Sequence, residues 1–444
     1  MKVLLILETA VNKGMYVNQL PPLGILGIAS YLISKGIETK AVDCNIQEYD
    51  YKEAGNYDMV GFSLFCSNVT RTLDAAKKIR KMFPHVKIIL GGPHTLTSPL
   101  EFAKKNFIDA VIVGEGEDTL YEYLTSKNPN KVRGIYYKKK KKVIFTGERP
   151  FRENLDSLPF PALDQVNLRK YIFPMSQARP ISQIMTSRGC PYNCIYCFHS
   201  LGRKWRPRSA RNIVDEIEWQ VNKLGVREIS ISDDNFTLDK KRAEDVCEMI
   251  IRRGIKVKIQ LMNGIRADRV DKSLLKKMKQ AGVWLIAVAP ETGSEETLKK
   301  IKKGMTLNHP KNVVKWCKEL GIATYAFFMI GFPWESEKDV RQTIEFAEKL
   351  DADFNQFSRV LPFEGTELAA MTGKIECTDK DTGLFYGNKK YKQQKLTDEQ
   401  TGRLIREAYR RCYLNPRKML RIFRILSLKN LYRLAKYAFK TGSM

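Results

Sequence analysis

Three cysteines, Cys190, Cys194 and Cys197, form a C-x3-C-x2-C run inside the stretch Gly189-Cys190-Pro191-Tyr192-Asn193-Cys194-Ile195-Tyr196-Cys197-Phe198-His199. Thiolates are the soft ligands that iron–sulfur clusters take, and tight spacing lets one loop supply several of them. Three thiolates on a four-iron cube leave one iron without a protein ligand. Such an open iron binds a substrate or cofactor, whereas a fourth cysteine would suit simple electron storage. Zinc is the competing reading, but structural zinc takes four ligands, usually from paired C-x2-C units, and His199 stands only two residues after Cys197. A disulfide reading fares worse, because three close cysteines cannot all pair.

The elements that must carry this loop can be read on both sides of it. Residues 1–126 alternate short apolar strands with helices: strands at Lys2–Leu7, Glu38–Asp43, Met59–Leu64, Lys87–Leu90 and Ala110–Val113, helices at Leu23–Ser34 and from about Val69 to Met82. That pattern predicts a parallel sheet covered on both faces, a flavodoxin-like doubly wound domain with ligand at the strand carboxyl ends. Those ends carry Ser63 within the turn 61–68, Gly91-Gly92-Pro93-His94 and Gly114-Glu115-Gly116-Glu117. The G-x-G-x-x-G fingerprint is missing after the first strand, which disfavours a nicotinamide cofactor. Two β-rich runs around Lys138–Lys142 predict a hairpin with an exposed tip, and the prolines of 149–180 predict an ordered linker.

Beyond the linker six more strands are expected, at Ser182–Thr186, Glu228–Ser232, Lys256–Met262, Trp284–Ala289, Thr324–Ile330 and Asp353–Val360. They run into Asp233-Asp234, Asn263-Gly264-Ile265-Arg266, Glu291-Thr292-Gly293-Ser294 and Gly331-Phe332-Pro333, the turns expected to converge at the mouth of a partial (β/α)6 barrel beside the cysteine loop. A helix is expected to start near Thr397-Asp398-Glu399-Gln400. The expected divisions are 1–130, 131–180, 181–370 and 371–444.

At 444 residues and 43% hydrophobic content, the chain has room for two or three globular domains. It has no uncharged apolar run of about 18 residues and no signal-like N-terminus. Nine scattered cysteines fit a reducing cytoplasm. The net charge of +27 fits nucleic acid, an anionic membrane, an acidic substrate or simply solvated faces. No RNA-binding module accompanies it, so nucleic acid is disfavoured. From Pro416 to Met444 eight Lys or Arg residues alternate with apolar ones and no acid intervenes. That pattern suits amphipathic helices that either cap the barrel or lie on an anionic membrane.

The cysteine run, with an aromatic residue before its last cysteine, resembles the radical S-adenosylmethionine (radical SAM) enzymes. The Pro21-Pro22-Leu23-Gly24, Gly91-Gly92-Pro93-His94 and Gly114-Glu115-Gly116-Glu117 segments resemble the cobalamin-binding domain fused to many of them. The resemblance covers residues 1 to about 416, ending on Arg411-Cys412-Tyr413-Leu414-Asn415-Pro416, where Asn415 departs from the family's arginine. It implies an α/β chain with an N-terminal flavodoxin-like (Rossmann-like) cobalamin-binding domain, a partial (β/α)6 radical SAM barrel and a helical C-terminal region.

The implied cofactors are a [4Fe–4S] cluster on Cys190, Cys194 and Cys197, SAM, and cobalamin. The last would bind over Ser63, Gly91, Gly92, Gly114, Glu115 and Gly116, without a histidine below cobalt because the D-x-H-x-x-G segment is missing. Tyr196 would lie beside adenine, with Asp233, Asp234, Arg266, Glu291, Ser294 and Gly331 around SAM. N-capping is the competing role for the acidic residues. The implied reaction is methylation of an unactivated carbon of a small-molecule or lipid substrate, through reductive cleavage of SAM and methylcobalamin. Ferredoxin or flavodoxin would donate the electron. Cyclisation, bond cleavage or rearrangement without methyl transfer is the alternative, and an RNA-binding or RNA-modifying protein is the alternative of another class.

Overall fold

The computed structural model describes residues 1–10, 20–140, 142–373 and 395–426, with Asn430 and Tyr432. The chain divides into two compact units, Met1–Tyr171 with Ser200–Gly202, and Ile172–His199 with the described residues from Arg203 onward.

The first unit runs β1 (Lys2–Leu7), α1 (Leu23–Ser34), β2 (Glu38–Asp43), β3 (Met59–Ser63), α2 (Val69–Met82), β4 (Lys87–Gly91), α3 (Pro99–Lys104), β5 (Ala110–Ile112), α4 (Gly116–Thr125), β6 (Ile135–Lys139) and β7 (Lys142–Phe145). Its seven strands are ordered β2-β1-β3-β4-β5-β6-β7. The first five are parallel, in the flavodoxin-like 2-1-3-4-5 order. Leu4, Ile6, Val60, Phe62, Ile88 and Leu90 share a core with Ala75, Ala76 and Ile79 of α2. Val3 and Leu5 point the other way and are buried too. Burial on both faces is why these strands read as unbroken apolar runs.

The hairpin does not stand apart from this sheet: β6 pairs antiparallel with β5, and β7 with β6. The linker contains three short 3₁₀ turns. From one of them Gln165 accepts from the Ala41 N–H at 2.6 Å and donates to the Thr39 carbonyl at 3.0 Å, covering the outer edge of β2.

The second unit runs β8 (Ile181–Ile184), β9 (Ser187–Arg188), β10 (Arg206–Pro207), α5 (Ala210–Leu224), β11 (Glu228–Ile231), α6 (Lys240–Arg252), β12 (Lys258–Ile265), α7 (Lys272–Gln280), β13 (Val283–Glu291), α8 (Glu295–Lys300), α9 (Asn308–Leu320), β14 (Ala323–Ile330), α10 (Glu337–Leu350), β15 (Phe354–Arg359), α11 (Glu367–Thr372), α12 (Asp398–Tyr413) and α13 (Pro416–Ile425). Six parallel strands in the order β15-β14-β13-β12-β11-β8 make the partial barrel. Most helices start on a side-chain cap, such as Ser209, Asp239, Asp271, Ser336 and Thr397. α5 and α9 stop at Gly225 and Gly321, both left-handed.

The two faces of this sheet are told apart by their partners. Phe328 of β14 meets Phe346 of α10, and Phe357 of β15 meets Tyr409 of α12, so these positions face the helices. Tyr325, Phe327 and Met329, which alternate with Phe328, therefore face the lumen.

The first part of the C-terminal tail forms an amphipathic helix that buries Ile422, with Leu426 just beyond its end, but leaves other apolar residues in solvent. Asn415, the departure from the family pattern, caps α13 by accepting from the Arg417 and Lys418 N–H groups, with Pro416 in the first turn. Lys418 is buried, and Arg421 grips Asp351 at 2.6 Å and Asp353 at 3.2 Å. Met419, Leu420 and Phe423 face solvent instead. The rest of the expected tail helices lies outside the described residues, apart from Asn430 and Tyr432. Among the described residues no helix is long and apolar enough to cross a membrane.

Candidate active site

The cysteine loop leaves the barrel after β8 and β9 through Gly189, whose φ of 85° only glycine adopts without strain. The Cys197 N–H donates to the Cys194 carbonyl at 3.1 Å, closing a turn that brings both thiols to one side of the chain. Outer contacts fix the loop on three flanks. Ile195 donates to the Ile301 carbonyl and accepts from Leu368 of α11. The Arg266 guanidinium lies 3.5 Å over the Tyr192 ring, and Arg269 donates to the Tyr192 hydroxyl at 2.9 Å. His199 meets the Tyr192 carbonyl at 2.9 Å, so its ring stays within the loop.

Behind the loop lies a triad, in which the half-buried Tyr196 joins the buried pair Glu291 and Lys303. The Tyr196 hydroxyl donates to Glu291 Oε1 at 2.8 Å, and Lys303 Nζ donates to the same oxygen at 2.7 Å and to Tyr196 Oη at 3.1 Å. Burial, then the Glu291 charge, pushes the Tyr196 phenol well above its ordinary range, so it stays a proton donor. Glu291 holds φ at 67° although it is not glycine, a strained backbone held by this network and by its pairing with β14. Phe332 packs edge-on against Tyr196 at 6.2 Å and stacks on Trp334.

The Phe332 turn is braced from within by Glu335, fully buried, whose Oε2 accepts from the Gly331 and Phe332 N–H groups at 2.9 and 3.0 Å. Burial raises its carboxyl to about 7. Lys303 and Glu335 were not singled out from the sequence. Lys303 sits in a Lys-Lys-Gly segment that reads as a solvated turn, and Glu335 resembles an ordinary acid ahead of a helix.

The remaining sequence-derived residues fall into two groups. Asp233, only 2% exposed, accepts from the Thr186 N–H and hydroxyl and from Ser187 Oγ at 2.6 Å, with Arg242 behind it at 3.8 Å. Its oxygens hold the end of the first barrel strand. Asp234 is exposed beside the loop. Although the residue as a whole is exposed, desolvation of its carboxyl against the loop and then the neighbouring Asp233 raise its pKa, while His199 and the Gly189 N–H act in the opposite sense.

Arg266 is gripped by Asp268 at 2.9 and 3.2 Å. Ser294 caps α8 by accepting from the Thr297 N–H. Thr292 pairs with Thr343 of α10 at 3.0 Å and is buried there. A Cβ on Gly293 would come within 2.6 Å of the Gln342 carbonyl, so this turn is moulded to α10.

The donor set fits an iron–sulfur cube better than zinc. Among the described residues no three His, Cys, Asp or Glu side chains converge where a single ion could sit. A cube instead takes one thiolate per corner. Burial and then the neighbouring Cys194 and Cys190 push the Cys197 thiol up to about 12.

In the first unit, Ser63 and Gly91 are level at the carboxyl ends of β3 and β4, and Gly114 follows the carboxyl end of β5. A Cβ on Gly114, which is left-handed, would meet nothing within 4 Å, leaving open backbone that a bulky planar ligand can approach. Glu115 accepts from the Arg152 N–H at 2.8 Å and stands at the start of α4 without a side-chain capping bond, and Gly116 avoids Ile28. The His94 ring packs edge-on against Phe102. A separate cavity of about 790 Å³, lined by Glu8, Cys44, Tyr51 and Arg71, was not foreseen.

An open-iron thiol loop on a partial barrel, preceded by a flavodoxin-like domain with glycine-lined strand ends, defines a radical SAM enzyme with a cobalamin domain. The comparisons agree: residues 184–347 match the radical SAM superfamily and residues 11–124 the B12 binding domain. An uncharacterized methyltransferase of Pyrococcus horikoshii is 31% identical over 95% of this chain and 94% of its own length. The chain belongs to the B12-binding radical SAM family, whose cofactors are the [4Fe–4S] cluster, SAM and cobalamin. An anaerobic magnesium-protoporphyrin IX monomethyl ester cyclase of Rubrivivax gelatinosus is 27% identical over 81% of this chain and 68% of its own. The same fold occurs in the radical SAM methyltransferase TsrM of Kitasatospora setae, solved with cobalamin and a [4Fe–4S] cluster (TM-score 0.70, 18% identity, covering 84% of this chain and 77% of that one).

Proposed function

We propose that this enzyme methylates an unactivated carbon of a small molecule. The observation that carries the reading is the union, in one chain, of three loop thiols backed by the Tyr196–Glu291–Lys303 triad with a B12-binding domain. The P. horikoshii relative, a methyltransferase by name, supports it. When bound, the cofactors supply homolytic removal of a substrate hydrogen atom and the methyl group that replaces it, chemistry beyond acid–base side chains.

The protein's own part is to hold and orient. Cys190, Cys194 and Cys197 each take one iron. Tyr196, fixed by Glu291 and Lys303, presents its ring beside the adenine, with Phe332 and Gly331 on the adjoining turn. The SAM ammonium is assigned to Asp234 rather than Asp233, because the oxygens of Asp233 are taken by Thr186 and Ser187. Arg266 acts as a clamp on Tyr192 rather than as a partner for a carboxylate, since Asp268 already occupies it. Ser63, Gly91, Gly92, Gly114, Glu115 and Gly116 line the corrinoid site. An external ferredoxin or flavodoxin supplies electrons.

Anaerobic reconstitution with cluster, corrinoid and SAM, followed by mass spectrometry, tests the reading. S-adenosylhomocysteine together with 5′-deoxyadenosine is the expected result. 5′-Deoxyadenosine alone would move the enzyme to the ring-forming or rearranging class that the cyclase relative represents.

The solvent-facing Met419, Leu420 and Phe423 of α13, flanked by Arg417 and Arg424, support peripheral contact with anionic lipid. Sedimentation with anionic liposomes should pull down the full chain more than a form ending at Asn415, and equal partitioning removes this contact.

A further inference from the structure

The lumen of the partial barrel carries a polar pattern of its own. Starting from Tyr325, strand registers assign the lumen face across the sheet: Tyr325 is level with Ala287, Leu285 with Gln260, Gln260 with Ser230, and Ser230 with Gln183. On the other side Phe327 and Met329 are level with Gln356 and Ser358.

Among these lumen positions charge occurs only at the amino-terminal rim. There Glu228 accepts from the Gln177 and Ala178 N–H groups and from Trp284 Nε1, and Lys258 is exposed. At the opposite end the charges of Asp234, Arg266 and Glu291 belong to the turns. Between the two ends the strands present amides, hydroxyls, methyl groups and aromatic rings.

Several of the polar groups satisfy one another. Ser232 Oγ donates to Gln183 Oε1 at 2.5 Å, Tyr325 Oη to Gln356 Oε1 at 3.2 Å, and Gln356 Nε2 to Ser358 Oγ at 3.1 Å. Gln260 is the exception. It is 0% exposed, and neither its Oε1 nor its Nε2 has a hydrogen-bond partner. A buried amide left without partners is destabilising, and a native fold keeps one where something else completes it. One acceptor and one donor side by side match another amide in a two-point pair. An anion or cation in this lumen would lose its hydration and find no counter-charge on the strands.

We infer that the lumen takes an uncharged substrate that offers a paired N–H and C=O, as a carboxamide, lactam or ring amide does, to Gln260, on an apolar or aromatic body that lies against Tyr325 and Phe327. This rests on the reading of the barrel as the catalytic unit, and it names the substrate class that such a reading leaves open.

Matched probes test it: indole-3-acetamide against indole-3-acetate, and benzamide against benzoate, titrated by calorimetry into anaerobic reconstituted holoenzyme. The wild type should prefer each amide by about tenfold or more, the scale expected when one partner leaves a buried polar site unpaired. Gln260→Leu should reduce that preference to near unity. Without probe it should melt at or above the wild-type temperature, because it removes an unsatisfied amide. Equal or tighter carboxylate binding, a preference that survives in Gln260→Leu, or binding of neither member of a pair overturns the inference. So does a lowered melting point in Gln260→Leu, which would mean that structural water completes the amide. SAM products measured in the same samples separate the two readings. Amide preference without S-adenosylhomocysteine removes methyl transfer alone, and SAM turnover with carboxylate preference removes the Gln260 assignment alone.

Discussion

Glu291 and Lys303 are buried together, and removal of either partner strands the other's charge. Breaking such a pair costs roughly 3–5 kcal/mol, against a net gain from the intact pair that is far smaller. Lys303→Met should therefore destabilise the apoprotein by about 3 kcal/mol in urea melts and lower iron retention, because Tyr196 loses its support. The double variant Glu291→Gln/Lys303→Met should recover most of the loss, and an additive double variant would sever the coupling. Cys194→Ala should abolish the brown charge-transfer absorption and SAM cleavage. Cys247→Ala and Cys317→Ala, on buried helix faces of α6 and α9, should keep both. The cysteines could be read directly because ligand spacing is a local property. Lys303 could not, because its place in the triad depends on a carboxylate twelve residues back and a phenol in another loop. Asp233 and Arg266 carried the right chemistry, but the sequence does not say that Thr186, Ser187 and Asp268 already occupy them.

The turns after the strands are held by buried acids, and Glu335 is the clearest case. Its carboxyl is raised from 4.5 to about 7 by burial, against the pull of the Gly331 and Phe332 N–H groups. Between those values the folded state binds the extra proton, so stability is fully present below about pH 4.5 and falls as pH rises through 7. The shift corresponds to at most about 3 kcal/mol. Glu335→Gln keeps an acceptor for both N–H groups and should flatten the pH dependence of chemical denaturation across this window; an unchanged slope would assign the titration elsewhere, to Glu228 first. The strands themselves were foreseen to within a few residues, since alternation and apolar runs encode them. The burial of basic residues in α13 was not, because Lys418 and Arg421 turn inward toward Asp351 and Asp353, acids beyond the end of α10 that no local periodicity can anticipate.

At the scale of the whole molecule, two cofactor domains share one chain, and each has a signature that can be checked by itself. His94 is packed on Phe102 within the first unit. Electron paramagnetic resonance of the cob(II)alamin form should show no nitrogen superhyperfine splitting from a protein imidazole, and His94→Ala should still bind corrinoid. Splitting that disappears in His94→Ala would make this histidine a ligand. The flavodoxin-like order was legible because parallel strands buried on both faces have a compositional signature. The joining of the hairpin to that sheet was not, since antiparallel pairing with β5 depends on edge geometry rather than on the hairpin's own residues.

That joining changes what the five-lysine run does. β7 is an outermost strand of the seven-stranded sheet, and an outermost strand offers unpaired amides to any other strand in solution. The opposite border, β2, is closed by the Gln165 amide. β7 relies instead on Lys139, Lys140 and Lys142 around its turn, whose like charges repel a second copy approaching edge to edge. Lysines of a run that reads as an idle solvated tip are thereby expected to oppose edge-to-edge polymerisation. Replacing Lys139, Lys140 and Lys142 with threonine, a good strand former without charge, should leave the melting temperature nearly unchanged. The same variant should shorten the lag of thioflavin-positive aggregation, and added salt should erode the wild type's advantage by screening the lysines.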